Sequence, residues 1–362
     1  MIKKISISNF RCFNHIEIEN LSLVNIIGGR NNSGKSALLE SILLPNIVLT
    51  PNYFTLLSSI RTAGNQIISS NQIWNPLFYK MGNTKDLEIF YEHENETSNL
   101  ALSKRYVDYT QSSHVSLENL NKKFNENELK RHFALQMKYT SKEQNISGEY
   151  TIRNDLMNNN IINFQPNAEI IFPILSLENM YFYKQPAYIM QMPEWISQIS
   201  LDNNKKNLLI TILKKFDDDI IDVVTVLENT VSFVYVKFKS KEAMPINYMG
   251  DGINKALSLL LCILNLPNGI LLIDEIENGL YFKLYEEILP IICEAALQNN
   301  CQIFMTTHNK NIIKTIVDSM KHLNRLDALC YQRMALSKGK RKAFAFSGED
   351  LVSSFDSNVE MR

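Results

Sequence analysis

The chain has 362 residues, 45% of them hydrophobic and 21% charged, with a formal net charge of -1. It is long enough for a large core and two subdomains, globular in composition, and without the overall basic field that draws nucleic acid. Its five cysteines (Cys12, Cys262, Cys293, Cys301, Cys330) are scattered and form no C-x-x-C pair, which argues against a disulfide frame or a zinc site and for reduced thiols in a cytoplasm.

Residues 2–9 and 13–21 alternate apolar and polar, as half-buried strands do, and the N-terminus carries no signal-peptide core. "LVNIIGG" (23–29) reads as a buried strand ending in glycine, and Ser36 to Leu44 as a helix stopped near Pro45. "LEIFYEHE" (87–94), "FALQMKYT" (133–140) and "GEYTIR" (148–153) read as antiparallel strands, with a mobile polar loop expected over 107–130. "NKKNLLITILKKF" (204–216) has helical spacing, and "VSFVYVKFK" (231–239) is a strand. "ALSLLLCILNL" (256–266) is too short to span a bilayer. "GILLIDEIENG" (269–279) opens with the all-apolar run of a parallel strand buried on both faces. An amphipathic helix over 281–298 and a buried strand in "CQIFMTTHN" (301–309) follow, then a short strand pair around "KGKRK" (338–342). Strands and helices alternate at both ends of the chain, so an α/β core is split in sequence and joined in space.

Three pieces carry chemistry. "GRNNSGKS", which is Gly29, Arg30, Asn31, Asn32, Ser33, Gly34, Lys35 and Ser36, fits G-x-x-x-x-G-K-[ST] between a strand and a helix. Glycine lets the backbone curl so that its N–H groups face a triphosphate, and the helix N-terminus adds partial positive charge. Lys35 would contact the β- and γ-phosphates, and Ser36 would ligate Mg²⁺. In "ILLIDE" (270–275), Asp274 ends a buried strand, where it would hold Mg²⁺ through water, and Glu275 follows, where it can polarise the attacking water. The blander alternative is a pair of helix-capping acids. In "TTHN", His308 ends the next buried strand and is expected beside the same γ-phosphate.

A fourth piece is less familiar. In "PINYMGDGINKALSL" (245–259), Gly250 and Gly252 flank Asp251 just before an apolar helical pattern, and no lysine is presented to a phosphate. The alternative is a turn into the helix with Asp251 as cap. "FDDDI" (216–220) is read as a solvated cap between two helical patterns, not a metal site, and "KGKRK" as a solvated basic turn.

In this order the motifs resemble the ABC-type ATPases, in the branch holding SMC, RecF and the overcoming-lysogenization-defect (OLD)-like ATPases. "ISNFRCF" (7–13) is similar to that branch's N-terminal strand and turn, which implies that Arg11 lies near the nucleotide. "IDEIENGLY" resembles its Walker B and D-loop, "FMTTHN" its switch-histidine loop, and "MGDGINKAL" stands where the family carries its signature motif. The tail from Ser347 resembles the ends of small OLD-like members. The resemblance implies an ABC-ATPase-type P-loop core, a mixed sheet flanked by helices, with an antiparallel β-subdomain and a helical insertion. The core would be built from 1–50 and 245–362, with 51–244 as an inserted lobe. It also implies ATP and Mg²⁺ as cofactors, and a homodimer or higher even oligomer with ATP at the interface. There Gly250, Asp251 and Gly252 of one subunit would face the γ-phosphate held by the other. The family's serine is replaced by Gly250 or Met249, depending on alignment, and Gln72 is the candidate for the Q-loop.

The segment between the two Walker motifs has scattered prolines and no heptads, so long SMC arms are not expected. After His308 the tail is too short for a Toprim nuclease, and the histidines show no nuclease or zinc spacing. Three functions remain open. The first is an OLD-like ATPase that switches a separately encoded effector such as a nuclease, in antiviral defence. The second is a RecF- or SMC-like ATPase of DNA repair, with nucleic acid as a partner that charge does not indicate. The third is the motor of an ABC transporter. The neighbouring gene would discriminate between them.

Overall fold

The computed structural model describes residues 1–49, 74–82, 85–94, 96–107, 132–142, 145–154, 160–166, 180–183, 192–278, 282–337 and 339–357. Two large sheets and a set of helices build an α/β fold. The first sheet is antiparallel, in the order β2-β1-β4-β5-β6-β7-β8. It comprises β1 (Ile2–Phe10), β2 (Phe13–Ile18), β4 (Leu87–His93), β5 (Thr97–Val107), β6 (His132–Ser141), β7 (Asn145–Asn154) and β8 (Asn160–Pro166). The second, in the order β16-β15-β3-β14-β13-β9, is parallel except for its terminal hairpin. It comprises β3 (Val24–Gly29), β9 (Met180–Tyr183), β13 (Ile270–Ile273), β14 (Gln302–Thr306), β15 (Leu329–Ser337) and β16 (Lys340–Ser347). A small third sheet joins β10 (Ile220–Glu228), β11 (Val231–Phe238) and β12 (Met244–Pro245).

Seven helices complete the described chain. They are α1 (Lys35–Leu49), α2 (Met192–Ile199), α3 (Asn203–Lys214), α4 (Asp251–Leu264), α5 (Phe282–Gln298), α6 (Lys310–His322) and α7 (Gly348–Asp356). The all-apolar strand runs have a direct cause. Ile26, Leu271 and Ile303 belong to one core with α4, α5 and α6, while their neighbours Ile27, Leu272 and Phe304 belong to another with α1 and the antiparallel sheet. Strands buried on both faces lose the apolar–polar alternation.

The expected division at residues 50 and 245 is one of sequence, and the sheets draw from both sides of it. β1 and β2 pair into the antiparallel sheet through β1–β4, and β9, from the middle of the chain, pairs in parallel with β13. Five strands, β5, β8, β9, β10 and β12, were not foreseen. "FDDDI" lies between α3 and β10, not between two helices. Its acids are used locally: Asp217 pairs with Lys241 at 3.1 Å, and Asp219 accepts from the Ser240 hydroxyl. Most of the expected loop at 107–130, and Gln72, lie outside the described residues. "ALSLLLCILNL" falls mainly in α4, buried on all sides from Lys255 to Leu264. Among the described residues no helix is long and apolar enough to cross a membrane. All five thiols are free, and burial pushes those of Cys293 and Cys301 up to about 12.

The largest departure from the expected helices is α1, which does not stop near Pro45 but runs through it to Leu49. Proline supplies no N–H, so the Ser41 carbonyl one turn back lacks its helical donor. The hydroxyl of Tyr91 on β4 donates to that carbonyl instead, at 2.6 Å. This buried bond therefore helps fasten the phosphate-loop helix to the antiparallel sheet. Tyr91→Phe should cost about 1–3 kcal/mol, the range for stranding a buried acceptor. Denaturant unfolding checks this. The loss should shrink in a Pro45→Ala background, where the helix regains its own donor.

Candidate nucleotide site

β3 ends at Gly29 and α1 begins at Lys35, so the loop between them must reverse within five residues. Gly29 (φ 137°) and Gly34 (φ 107°) lie in conformations that L side chains rarely adopt. A Cβ on Gly29 would also collide with the Met334 carbonyl oxygen, and one on Gly34 with the Phe13 ring. Arg30, Asn31 and Asn32 are exposed on the outside of the loop, and Ser33 is buried. The Lys35 ammonium folds back over the loop and donates to the carbonyls of Gly29 (2.9 Å) and Arg30 (3.2 Å). The residue is only 9% exposed, and burial lowers its pKa, opposed by Glu277, Asp274 and Glu275.

Two observations test whether the loop fits a polyphosphate. The Ser33 hydroxyl is buried with no hydrogen-bond partner among the described residues, an arrangement that costs free energy until an acceptor or donor arrives. Lys35 is a buried cation among carboxylates, and its hydrogen bonds among the described residues go to neutral carbonyls along the loop it would release. Phosphate oxygens satisfy both groups, so the residues fit.

The acidic side is assembled by strand order. β14 lies between β13 and β3, which brings Asp274 to Ser36 across 238 residues of sequence. The Ser36 hydroxyl donates to Asp274 Oδ1 at 3.1 Å, and the Thr306 hydroxyl donates to the same oxygen at 2.7 Å. Thr306 in turn accepts from the Glu275 N–H at 2.7 Å. One threonine thus fixes both acids: the first through its carboxylate, the second through its backbone. A hydroxyl and a carboxylate in contact are the donor pair that Mg²⁺ takes, with phosphate and water oxygens completing its shell. Among the described residues there is no group of three or more His, Cys, Asp or Glu that could hold a metal by itself.

Glu275 has φ 51°, a left-handed conformation that costs a non-glycine residue about 1–3 kcal/mol. Its carboxylate is exposed and accepts from the Asn278 amide at 2.5 Å. His308 is exposed, and its Nδ1 lies 2.6 Å from Glu277 Oε1, which also accepts from the His308 N–H at 3.0 Å. Glu277 was not singled out from the sequence, although "DEIEN" contains it two residues after Glu275. Thr306 was overlooked for a simple reason: a threonine inside an apolar strand run reads as packing.

Arg11 is held against α1, with Nε 2.5 Å from Glu40 Oε2 and its guanidinium 5.5 Å from the centre of the Phe10 ring. Arg341 is a clearer addition. It donates to the carbonyls of Cys12 (2.9 Å) and Asn32 (3.3 Å), tying β16 to the phosphate loop. "KGKRK" is therefore not a uniformly solvated turn. Lys340 and Lys342 are exposed, and the arginine between them faces the other way, as strand alternation dictates.

Gly250 is the N-cap of α4, with no side-chain capping bond, and Asp251 is the first helical residue, so Asp251 is not the cap. Gly250 has φ −60°, and a Cβ there would meet nothing within 4 Å. Neither conformation nor crowding within this chain demands a glycine. The lysine of the same stretch, Lys255, is buried and points to the segment after Asp274. Among the described residues no hydrogen bond joins 250–252 to the phosphate loop of the same chain.

The chain is similar to several known proteins. The chain is 25% identical over 351 residues to a Helicobacter pylori protein named "ATP/GTP phosphatase", covering 87% of each. It is 33% identical over 112 residues to an uncharacterized protein of Methanocaldococcus jannaschii, covering 28% of this chain and 46% of that one. Among solved structures it is similar to an SMC head bound to the C-winged helix domain of ScpA. The TM-score is 0.50 at 14% identity, over 97% of this chain and 99% of that one, and this likeness concerns the fold. Residues 1–313 match the AAA ATPase domain family. With that match over most of its length and an intact phosphate loop facing Asp274 and Glu275, the chain belongs to the AAA ATPase domain family and is an ATPase.

Proposed function

We propose that this chain is an OLD-like ATPase that hydrolyses Mg²⁺-ATP in a homodimer and uses the cycle to switch a separately encoded effector, such as a nuclease, in antiviral defence. The observation that carries the catalytic part is the Ser36–Asp274–Thr306 contact, which gathers the phosphate loop and both acids at one point. Lys35 exchanges its loop carbonyls for phosphate oxygens. Ser36 and Asp274 hold the Mg²⁺, which neutralises phosphate charge when bound. Glu275 accepts the proton of the attacking water, and His308, steadied by Glu277, faces the same phosphate. The name of the Helicobacter pylori relative supports nucleotide hydrolysis. The free thiols support a reducing cytoplasm.

The dimeric part rests on Gly250–Gly252. A helix N-terminus stabilises an anion only within its first turn. This one has an unhindered glycine cap and no hydrogen bond to the phosphate loop of its own chain among the described residues. Gly252→Arg should block approach of a partner's phosphate and spare the chain's own ATP binding, while Lys35→Ala does the reverse. Each variant alone should be inactive. Mixing them should restore partial ATPase activity, because one composite site of the heterodimer carries neither lesion. Full activity of Gly252→Arg alone would reject the trans role. For the effector, co-purification with the product of the neighbouring gene decides. A nuclease that ATP activates supports the reading, and a permease or a repair protein replaces it.

A further inference from the structure

The buried length of helix α4 is apolar apart from Ser258 and one charged residue. Lys255 is 2% exposed, and burial lowers its pKa to about 8, opposed by Glu277 and Glu275. An ammonium taken out of water is costly, and an apolar residue of the same length would fill the space without that cost. The reason for a lysine therefore lies in what the ammonium touches.

Its Nζ donates to the backbone carbonyls of Ile276 (2.8 Å) and Asn278, and approaches that of Glu275 at 3.5 Å. These carbonyls belong to one tight turn. Asn278 N–H closes the turn on the Glu275 carbonyl at 2.9 Å, and Ile276 N–H bonds the Thr306 carbonyl at 3.1 Å. Several carbonyls of one turn converge where no backbone N–H can reach them all, and a compact cation with three donors satisfies that geometry. The turn carries the strained Glu275 and also Glu277, which grips His308. The N-cap of the same helix, Gly250, stands five residues before Lys255, a rise of about 7.5 Å on a rigid rod. The ammonium is thus a fixed strut between the α4 N-terminus and the hydrolytic turn.

We propose that Lys255 is a positioning residue for hydrolysis, which fixes the Glu275–Asn278 turn and makes its geometry depend on the seating of α4. A ligand engaging the start of α4 is then felt at Glu275. The proposal rests on the reading of Glu275 as the base that activates water.

The test compares wild type, Lys255→Met, Lys255→Gln, Glu275→Gln and the double variant Lys255→Met/Glu275→Gln. Fluorescent-ATP affinity, kcat, KM and thermal midpoint are measured for each. For Lys255→Met, kcat should fall about 10–100-fold, while KM and ATP affinity stay within about threefold even though stranding the turn carbonyls lowers the midpoint. Lys255→Gln, which keeps two donors, should lie between Met and wild type. The double variant should turn over no more slowly than Glu275→Gln, because both changes act on one step. An unchanged kcat in Lys255→Met overturns the proposal. So does a fall in affinity and midpoint in step with kcat, a fully additive double variant, or the failure of both Lys255 variants to fold. Wild-type turnover in Glu275→Gln alone would instead reject the reading of Glu275 itself.

Discussion

Lys35→Ala should leave a folded protein that does not bind ATP. The lysine is a buried cation whose donors rest on two loop carbonyls, so exchanging those carbonyls for phosphate oxygens converts neutral contacts into charge-assisted ones. Such bonds contribute about 1.5–3 kcal/mol each, so losing two should weaken affinity by roughly 100-fold or more. The fold should tolerate the change. Removing Lys35 removes a desolvated charge, and the loop keeps its glycines and its Ser33–Arg30 backbone bond at 3.2 Å. Titration with fluorescent ATP beside a thermal melt separates the two quantities. Equal affinity in variant and wild type would remove the loop from the site.

Glu275→Gln should give the opposite pattern, with ATP bound normally and kcat reduced by about 10²–10⁴-fold, the usual contribution of a positioned base. The amide cannot take a proton from water. It disturbs little else, because Thr306 holds residue 275 through its backbone N–H and holds Asp274 through the carboxylate. The Ser36–Asp274 contact should survive, and with it Mg²⁺-dependent binding. The check is phosphate release under saturating ATP, with affinity measured in parallel. A variant that releases phosphate at the wild-type rate would assign water activation elsewhere.

Much of this site could be read from sequence because its physics is local. Gly29, Gly34 and the N-terminus of α1 need only their immediate neighbours to form a phosphate loop, and Asp274 and His308 are placed by the ends of buried strands. What stayed hidden depends on partners far away in the chain. Arg341 meets Asn32 across 309 residues, and its role follows from strand alternation within five residues that look uniformly basic. Lys255 sits in a helical pattern where a lysine normally marks the solvent side, and only packing shows that it faces inward. Pro45 is the same lesson in reverse. A proline is a sound signal for a helix end, but the Tyr91 hydroxyl supplies the missing donor from another sheet. β9 is four residues long, and its place in the sheet follows from its pairing with β13.

The position of β3 between β14 and β15 has a consequence for the birth of the protein. β3 leaves the ribosome before both neighbours: Asn25 meets Ile303 only after 278 further residues, and β15 comes later still. At about 5–20 residues per second, the strand waits roughly a quarter of a minute to a minute for its neighbours. Throughout that time an apolar segment, Val24 to Ile27, lacks the strands that will cover it. Asn25 interrupts the run, as a gatekeeper residue does, and is later satisfied by Ser22 and Ile303. The phosphate loop hangs from the end of this strand. It is synthesised ahead of the strands that complete its site, so every new chain carries the whole loop sequence for a time before Asp274 exists to meet Ser36.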